Sequence, residues 1–293
     1  MGKILVIGKG GQLGQSIHAI KKMGLLEGNL TFVGRKELDL SSVTAIDQFF
    51  EGKVYDVIIN CAAYTAVDKA EQEQVLAARI NHHAVKRLAQ IAKERDAYFV
   101  HVSTDYVFDG TSYCPYVESD LVNPLNVYGH TKLLGEQAVL EINPRGTIIR
   151  ASWVYSEFGN NFVKTMLRLA KEQKQLGIIF DQVGTPTYAG DLAKTILVLV
   201  EQYLAGKDKS QMQVYHFSNE GVCSWYDFAK AIFELSSITI NVSPIETVAY
   251  PAPAKRPFYS VLNKAKIKAE LDMTIPYWKD SLALCLKKLQ EQN

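Results

Sequence analysis

Cysteine is scarce in this chain of 293 residues, which contains only four. They are Cys61, Cys114, Cys223 and Cys285, which lie far apart and show no metal-ligand spacing. This spacing favours reduced, partly buried thiols over a disulfide framework. Because reduced thiols are typical of the cytoplasm, we expect a cytoplasmic protein.

The chain also lacks long apolar runs and an excess of charge of either sign. No apolar segment is long enough to span a bilayer, and the run that follows Lys3 stops at Gly8, too early for a signal peptide. The formal net charge of +1 predicts neither a nucleic-acid partner nor binding to an anionic membrane. With 47% hydrophobic and 22% charged residues, the composition is that of an ordinary soluble globular protein.

The start of the chain contains a glycine-rich turn between a predicted strand and a predicted helix. Residues 3–7 are apolar and partly β-branched, and they lead into the pattern Gly8-x-x-Gly11-x-x-Gly14. Glycines permit a tight turn and let the backbone approach a pyrophosphate, while the helix N-terminus supplies N–H donors and positive potential. The pattern predicts a dinucleotide site, and a merely flexible glycine loop is the alternative.

The end of the second predicted strand, residues 30–34, bears on the choice of dinucleotide. Enzymes that use NAD usually place an acidic residue there to bind the ribose 2′-hydroxyl. Arg35 and Lys36 occupy the place in this chain, and cations suit a 2′-phosphate. NADPH is therefore favoured and NADH is possible, although two ordinary surface cations explain the pair almost as well.

Predicted strands and helices alternate through the first half of the chain. A strand at 54–60, a helix at 74–95 and a strand at 98–103 are followed by a strand at 147–150. This alternation predicts an α/β fold with a Rossmann-type doubly wound parallel sheet. We assign residues 1–150 to a dinucleotide-binding domain to which some later segments return. Residues 151–293 then form most of a smaller C-terminal α/β substrate-binding lobe, with helices at 161–174, 189–204 and 224–235.

A tyrosine and a lysine with helical spacing are the leading candidates for chemistry. Tyr128 and Lys132 would face the same side of a helix. An ammonium beside a phenol lowers the phenol's pKa and lets it exchange a proton with a carbonyl or hydroxyl. The spacing alone is common and more often marks a solvated helix face. However, Ser103 and Thr104 end a central strand, where open α/β sheets bind ligands, so these groups are expected to converge on one crevice.

Taken together, these motifs resemble the extended short-chain dehydrogenase/reductases, which act on nucleotide sugars. The resemblance rests on Gly8-x-x-Gly11-x-x-Gly14, Asn60-Cys61-Ala62-Ala63, Ser103-Thr104 and Tyr128-x-x-x-Lys132. Within that superfamily, longer stretches are similar to the dTDP-4-dehydrorhamnose reductases over essentially the whole chain. These stretches are Ser103-Thr104-Asp105-Tyr106-Val107-Phe108, Pro124-Leu125-Asn126-Val127-Tyr128-Gly129, Arg150-Ala151-Ser152-Trp153-Val154-Tyr155, Asn160-Asn161-Phe162, Asp181-Gln182-x-Gly184-x-Pro186-Thr187 and Arg256-Pro257.

The resemblance implies NADPH-dependent reduction of the 4-keto group of dTDP-4-dehydro-L-rhamnose, for cell-surface polysaccharide synthesis. It implies that Thr104 hydrogen-bonds the keto oxygen, that Tyr128 protonates it, and that Lys132 tunes Tyr128 and grips the nicotinamide ribose. Asp105 and Trp153 would position the hexose. Arg256 would meet the substrate diphosphate.

The resemblance also implies where a cofactor would lie. The pyrophosphate would contact Gly8, Gly10, Gly11, Gln12 and Leu13. The adenosine end would contact Arg35, Asp39 and Leu40. The ribose and nicotinamide would contact Ala62, Ala63, Tyr64 and Thr65, together with Tyr128 and Lys132.

One departure from the resemblance concerns assembly. Some relatives dimerise through magnesium held by acidic residues, but Gly190 stands where one such acid is expected. We therefore expect no metal and a monomer or weak homodimer, although the adjacent Asp191 keeps the question open.

Four alternatives are weighed at this point. Another nucleotide-sugar 4-ketoreductase would share every motif, since sequence does not identify the nucleotide or the sugar stereoisomer. Dehydratases of this superfamily follow the catalytic threonine with Asp-Glu, whereas Thr104-Asp105 is followed here by Tyr106. An epimerase would retain NAD through its cycle. A non-enzymatic, NADP-binding regulatory subunit on the same fold is the last alternative, and intact Thr104, Tyr128 and Lys132 argue against it.

Overall fold

The first half of the chain alternates strands and helices in a computed structural model that describes residues 2–23, 29–207 and 211–291. A π-helical turn, Arg79–His83, lies between the fourth and fifth helices, and a 3-10 turn, Asp105–Val107, follows the fourth strand. The elements are β1 (Lys3–Ile7), α1 (Gln12–Lys22), β2 (Asn29–Val33), α2 (Val43–Phe50), β3 (Val57–Asn60), α3 (Val67–Ala70), α4 (Gln74–Ala78), α5 (Ala84–Glu94), β4 (Tyr98–Thr104), α6 (Val127–Ile142) and β5 (Gly146–Ala151).

The second half has shorter strands and more irregular connections. Its 3-10 turn spans Thr247–Ala249. The elements are β6 (Val154–Tyr155), α7 (Phe162–Glu172), β7 (Gln175–Ile179), β8 (Val183–Gly184), β9 (Thr187–Tyr188), α8 (Ala189–Leu204), β10 (Gln213–Phe217), β11 (Cys223–Ser224), α9 (Trp225–Leu235), β12 (Asn241–Ile245), α10 (Ala265–Leu271) and α11 (Trp278–Glu291).

A six-stranded sheet in the order β10-β5-β4-β3-β1-β2 organises the molecule. Every neighbouring pair is parallel, which confirms the predicted Rossmann-type doubly wound sheet. Strand β10 comes from the second half of the chain and pairs with β5, so that Phe217 lies opposite Ala151. A late segment therefore completes the sheet.

The sheet is buried on both faces, as strand β1 shows. Ile4 and Val6 pack into one hydrophobic cluster with residues of α1 and α8, and Leu5 and Ile7 pack into another with residues of α2 and α5. Burial on both faces explains why the strand is apolar throughout instead of alternating. Each such side chain contributes roughly 1.5–3 kcal/mol of burial free energy.

A separate hydrophobic cluster is built entirely from residues after Ala151. Helices α7, α9 and α11 meet there, with Met166, Phe228 and Leu282 among the buried side chains. Helix α11 was not predicted, although Leu282, Leu286 and Leu289 have helical spacing and are buried on one face. Within the described part of the chain, no helix is long and apolar enough to cross a membrane.

The four cysteines are all free thiols, as predicted. Cys223 and Cys285 are buried, Cys61 is partly buried and Cys114 is exposed.

The predicted helix at 74–95 is not continuous, and this prediction was wrong in its middle. The π-helical turn Arg79–His83 interrupts it between α4 and α5. Such turns often occur at functional sites. Here the turn brings the buried side chain of Asn81 toward the loop that follows β3.

Candidate active site

The glycine-rich turn between β1 and α1 is so tight that two of its positions exclude a side chain. Gly8 has a φ of +98°, and a Cβ there would lie 2.9 Å from the backbone nitrogen of Ala62. A Cβ at Gly14 would lie 2.3 Å from the carbonyl oxygen of Gly8. At Gly10, by contrast, no described atom would lie within 4 Å of a Cβ. The turn therefore exposes bare backbone at the start of α1, which suits a pyrophosphate.

Two adjoining cavities lie at the carboxyl ends of the strands. The larger, of about 670 Å³, extends from the glycine turn past the end of β4 to Trp153 and Trp225. The smaller, of about 440 Å³, lies on the side of α4. Gly34 and Arg35 line both cavities, so the two form one crevice that an elongated ligand can occupy.

The structure brings together all but one of the predicted site residues. Those that line the larger cavity are Gly8, Gly10, Gly11, Gln12, Leu13, Arg35, Ala62, Ala63, Thr65, Thr104, Asp105, Tyr128, Lys132 and Trp153. Those that line the smaller cavity include Asp39, Leu40 and Tyr64. Arg256 is not among the described residues that line either cavity.

The end of β4 presents polar groups that the protein leaves incompletely bonded. The backbone N–H of Tyr106 donates to Thr104 Oγ1 at 3.2 Å, and the Thr104 hydroxyl donates to Asp105 Oδ1 at 3.1 Å. Asp105 is only 2% exposed, and its Oδ2 has no hydrogen-bond partner among the described residues. The same is true of the buried Ser103 Oγ. Unsatisfied buried polar atoms that line a cavity are typical of a site completed by a ligand.

Burial also changes the acidity of Asp105. It raises the pKa of this carboxyl to about 7, while the nearby hydroxyls of Ser260 and Thr104 act in the opposite direction. Near neutral pH the carboxyl is therefore close to its midpoint between acid and carboxylate.

Helix α6 places the tyrosine and the lysine. Asn126 caps the helix, because its Oδ1 accepts from the backbone N–H of Gly129 at 2.8 Å. A Cβ at Gly129 would lie 2.2 Å from the carbonyl oxygen of Tyr106, so glycine is what lets the first turn of α6 pack against the end of β4. Tyr128 and Lys132 then face the same crevice one turn apart.

The predicted effect of Lys132 on Tyr128 was wrong. The Lys132 ammonium donates to the carbonyl oxygen of Val102 at 2.7 Å and lies 3.4 Å from His101 Nε2. Burial raises the pKa of Tyr128 to about 12; the Thr104 hydroxyl opposes this and the charge of Asp105 adds to it. Burial lowers the pKa of Lys132 to about 8, although the negative charge of Glu136 acts to raise it. Loss of water is thus the dominant effect on Tyr128, which is a phenol that keeps its proton.

Asn81 is a site residue that the sequence did not reveal. Its Oδ1 accepts from the backbone N–H of Tyr64 at 2.8 Å, and its Nδ2 donates to the Tyr64 carbonyl oxygen at 3.1 Å and to Thr131 Oγ1 at 3.2 Å. One side chain therefore ties the loop after β3 to helix α6. An asparagine inside a predicted helix gave no signal of this role.

Trp225 was also missed. It stacks on Trp153, with ring centroids 3.6 Å apart and planes 9° from parallel, and both rings line the larger cavity. Trp153 has a φ of +48°, which is uncommon for a bulky residue. At the start of a helix, a tryptophan such as Trp225 looks like any core aromatic, so only the fold identifies it.

The side chain of Gln12, which lines the larger cavity, also makes contacts within the protein. Its Nε2 donates to the Val154 carbonyl oxygen at 3.2 Å, and its Oε1 accepts from Ser156 Oγ at 3.1 Å and Asn161 Nδ2 at 2.9 Å. The side chain is thereby used in holding the segment after β6 against the glycine turn.

Arg256 is held by an acidic residue beside the crevice. Its Nη2 lies 2.7 Å from Asp68 Oδ2, and its Nη1 donates to the Ala254 carbonyl oxygen at 3.0 Å. Burial lowers the pKa of Arg256, but the hydrogen bond with the Asp68 carboxylate raises it, and the net change is upward. The guanidinium is near Tyr106 but is directed at α3.

The acidic residue next to Gly190 is used inside the protein. Asp191 Oδ2 accepts from Asn219 Nδ2 at 2.8 Å and from Ser281 Oγ at 2.5 Å. A Cβ at Gly190 would lie 2.4 Å from the ring of Tyr188, so a larger residue does not fit there. Asp191 therefore links α8 to α11.

Such a crevice, at the carboxyl edge of a doubly wound sheet, belongs to a nucleotide-dependent oxidoreductase of the short-chain dehydrogenase/reductase type. The chain belongs to the family described as RmlD substrate binding domain, whose model matches residues 2–291.

Similar proteins support this membership over the full length. A dTDP-4-dehydrorhamnose reductase of Aggregatibacter actinomycetemcomitans is 40% identical over 290 residues, which cover 96% of this chain and 97% of that protein. The crystal structure of a dTDP-4-dehydrorhamnose reductase from Clostridium acetobutylicum has a TM-score of 0.91 and 42% identity, covering 98% of this chain and 99% of that one. The enzyme of the same name from Bacillus anthracis, solved in complex with NADP, has a TM-score of 0.89 and 35% identity, with coverage of 98% and 99%.

Proposed function

We propose that this protein uses NADPH to reduce the 4-keto group of dTDP-4-dehydro-L-rhamnose, giving dTDP-L-rhamnose for cell-surface polysaccharide synthesis. The observation that carries the proposal is that Thr104, Tyr128 and Lys132 line the same cavity as the bare glycine turn. The relatives named dTDP-4-dehydrorhamnose reductase support the choice of substrate.

The crevice fits a dinucleotide along its length. The backbone from Gly10 to Leu13 would hold the pyrophosphate, since a glycine at position 10 leaves the surface open. Arg35, whose side chain is 78% exposed and 4.0 Å from Asp39, is free to turn toward a 2′-phosphate. Asp39 and Leu40 would line the adenosine end, and residues 62–65 the nicotinamide ribose. Bound NADPH would supply the hydride for the carbonyl carbon, and NADH is a possible substitute.

The chain's own groups handle the charge that develops on the carbonyl oxygen. Tyr128, with its pKa raised by burial to about 12, retains its proton at neutral pH and delivers it to this oxygen. Thr104 donates a hydrogen bond to the same oxygen as negative charge grows there. Lys132, with a pKa lowered by burial to about 8, is still mostly cationic at pH 7 and lines the same cavity, where it would bind the nicotinamide ribose.

A dehydratase is disfavoured by the residue that follows Asp105. Tyr106 is mostly buried, and burial raises its pKa further above the ordinary phenol value. It therefore does not replace the glutamate that those enzymes use to remove water. The stacked Trp153 and Trp225 rings offer instead a flat apolar wall suited to a hexose.

Several broader assignments belong to the same proposal. We assign the dinucleotide to residues 1–150, with β10 returning to that sheet, and most of the sugar-nucleotide site to residues 151–293. Arg256 would meet the substrate diphosphate after release from Asp68. The proposed assembly is a monomer or weak homodimer without metal, because the Asp191 carboxylate is already bonded within the chain. The proposed location is the cytoplasm.

The test is turnover with defined substrates. The purified protein is mixed with NADPH and freshly prepared dTDP-4-dehydro-L-rhamnose, NADPH absorbance is followed, and the product is identified by NMR. We expect one NADPH oxidised per dTDP-L-rhamnose formed. A product with the opposite configuration at C4 would assign a related ketoreductase, and absence of NADPH oxidation would refute the reductase proposal.

A further inference from the structure

The Thr104 hydroxyl has more acceptors than it can serve. A hydroxyl carries one proton. That proton is donated to Asp105 Oδ1 at 3.1 Å, while the backbone N–H of Tyr106 already occupies a lone pair of Thr104 Oγ1 at 3.2 Å. Tyr128 also faces this hydroxyl, since a hydrogen bond with Thr104 influences its acidity. A substrate carbonyl would be a further acceptor for the same proton.

The protonation state of Asp105 decides this competition. A carboxylate only accepts hydrogen bonds, so an ionised Asp105 keeps the Thr104 proton directed toward itself. A protonated carboxyl can donate to Thr104 Oγ1 instead, and the Thr104 proton is then free to turn into the cavity. A hydrogen bond from the Thr104 hydroxyl to a carboxylate is also stronger than one to a neutral carbonyl oxygen. The ionised Asp105 therefore keeps the Thr104 proton away from the substrate.

The surroundings of Asp105 permit both states. Among the described residues, Oδ2 has no hydrogen-bond partner, and the carboxyl is 2% exposed. The charged and titratable groups near it are Tyr106 on its own turn, Tyr128 and Lys132 on α6, and Arg256, which Asp68 already neutralises. The Ser260 hydroxyl faces it from the C-terminal segment. No cation in the described part of the chain forms a salt bridge with Asp105.

We propose that Asp105 is a positioning residue whose protonation frees the Thr104 hydroxyl to donate to the substrate's carbonyl oxygen. The proposal rests on the proposed ketoreductase function and assigns to Asp105 a role beyond contact with the hexose. Its raised pKa of about 7 places the transition in the physiological range.

The kinetic test compares pH profiles of kcat/KM for the keto sugar. In the wild-type protein we expect a fall of roughly three- to fourfold between pH 6 and pH 7.5, as a single group with a pKa near 7 ionises. Asp105→Asn supplies an amide N–H that donates to Thr104 at every pH, so its profile should change by less than about twofold over this range. Loss of rate near pH 8, where Lys132 deprotonates, should remain in both proteins.

Asp109→Asn is the matched control. Asp109 lies four residues further along, outside the described lining of the crevice, and its carboxylate accepts from Thr111 and Tyr116. Its pKa is lowered by the backbone N–H of Thr111, so it does not titrate near pH 7. This variant should keep the wild-type fall. If Asp105→Asn also keeps it, Asp105 does not govern the Thr104 proton.

A second measurement needs no substrate and so separates this proposal from the proposed function. Proteins labelled with carbon-13 at aspartate side chains are titrated by NMR, and Asp105 is assigned by its absence in Asp105→Asn. We expect the carboxyl to titrate between pH 6 and pH 8, and Thr104→Val to raise the midpoint because a donor to the carboxylate is lost. An Asp105 already ionised at pH 5.5 would overturn the proposal even if the protein reduces the sugar. If Asp105 titrates as expected but the protein does not turn over the sugar, the result supports the protonation change at Asp105 and refutes only the ketoreductase function.

Discussion

The proposed chemistry depends on single side chains, and the role of Tyr128 is the one that a substitution tests most directly. Tyr128→Phe removes the proton but keeps the ring that lines the cavity. We expect kcat to fall by roughly 10²–10⁴-fold, the usual contribution of a general acid, with little change in sugar-nucleotide affinity. Steady-state kinetics and calorimetric binding measure the two quantities. Tyr226→Phe, in the cluster around α9, should leave both unchanged. Near-full kcat in Tyr128→Phe would mean that the proton comes from elsewhere.

A second prediction concerns the contribution of Asp105 to the pH dependence of folding stability. Its pKa is raised on folding, so the native state holds a proton between about pH 4 and pH 7 that the unfolded chain has lost. Stability from this carboxyl is therefore present at low pH and lost as pH rises through 7. Asp105→Asn removes this titrating group. The change it makes in the free energy of unfolding should therefore be more favourable at pH 8 than at pH 4, by roughly 2–4 kcal/mol. Urea unfolding at both pH values measures the difference, and an equal effect at the two would contradict the assigned burial.

At the scale of elements, the contact between α6 and the π-helical turn depends on a glycine. A Cβ at Gly135 would lie 2.2 Å from the carbonyl oxygen of Asn81, which is backbone and cannot turn away. Gly135→Ala should lower the free energy of unfolding by about 1–3 kcal/mol, although alanine favours a helix by about 1 kcal/mol. It should also lower kcat, because Asn81 bridges α6 to the loop after β3.

Gly10→Ala is the matched substitution for Gly135→Ala. No described atom would lie within 4 Å of the new Cβ, so stability should stay within about 0.5 kcal/mol. The methyl group would instead occupy the surface proposed for the pyrophosphate. Calorimetry should therefore show weaker binding of NADPH in this variant and nearly normal binding in Gly135→Ala. The opposite pattern would remove Gly10 from the dinucleotide site.

Sequence patterns predicted the regular elements better than the contacts between them. The helix predicted at 189–204 is Ala189–Leu204, because its apolar spacing and its packing on α1 agree. The π-helical turn was not predictable, since no local pattern in Arg79–His83 distinguishes it from an α-helix, and the close approach of Gly135 to Asn81 is seen only in the assembled fold. Gly8 and Tyr128 were predicted because the proposed roles need those residue types at fixed spacing, and both line the larger cavity.

The sequence did not reveal the contacts made by residues whose type and position are also typical of an ordinary core. Trp225 and Asn81 occur at positions that core packing would explain equally well. The direction of the Lys132 ammonium depends on where the Val102 carbonyl lies, which no local pattern encodes. Burial, which sets the pKa of Asp105 and Tyr128, is a property of the assembled fold.

At the scale of the whole molecule, Gln12 joins the glycine turn to the segment that continues from Trp153. Gln12→Ala would release Val154, Ser156 and Asn161 from the turn. We expect KM for the sugar nucleotide to rise several-fold, since the three hydrogen bonds that hold this segment against the turn are lost, while affinity for NADPH changes less. Gln48→Ala, on the exposed face of α2, is the control. A larger loss of NADPH affinity than of sugar-nucleotide affinity would show that the side chain serves the cofactor.

The uneven burial of the four thiols gives the native protein a built-in attachment point. Burial raises the pKa of Cys61 and Cys285 to about 12 and raises that of Cys223 as well, so these thiols react slowly. Cys114 is exposed, on the segment between β4 and α6. Brief treatment with a maleimide dye should therefore give one adduct, at Cys114, by mass spectrometry. The unaltered chain could then carry a single fluorophore, or be tethered to a surface in one orientation, without any cysteine being replaced.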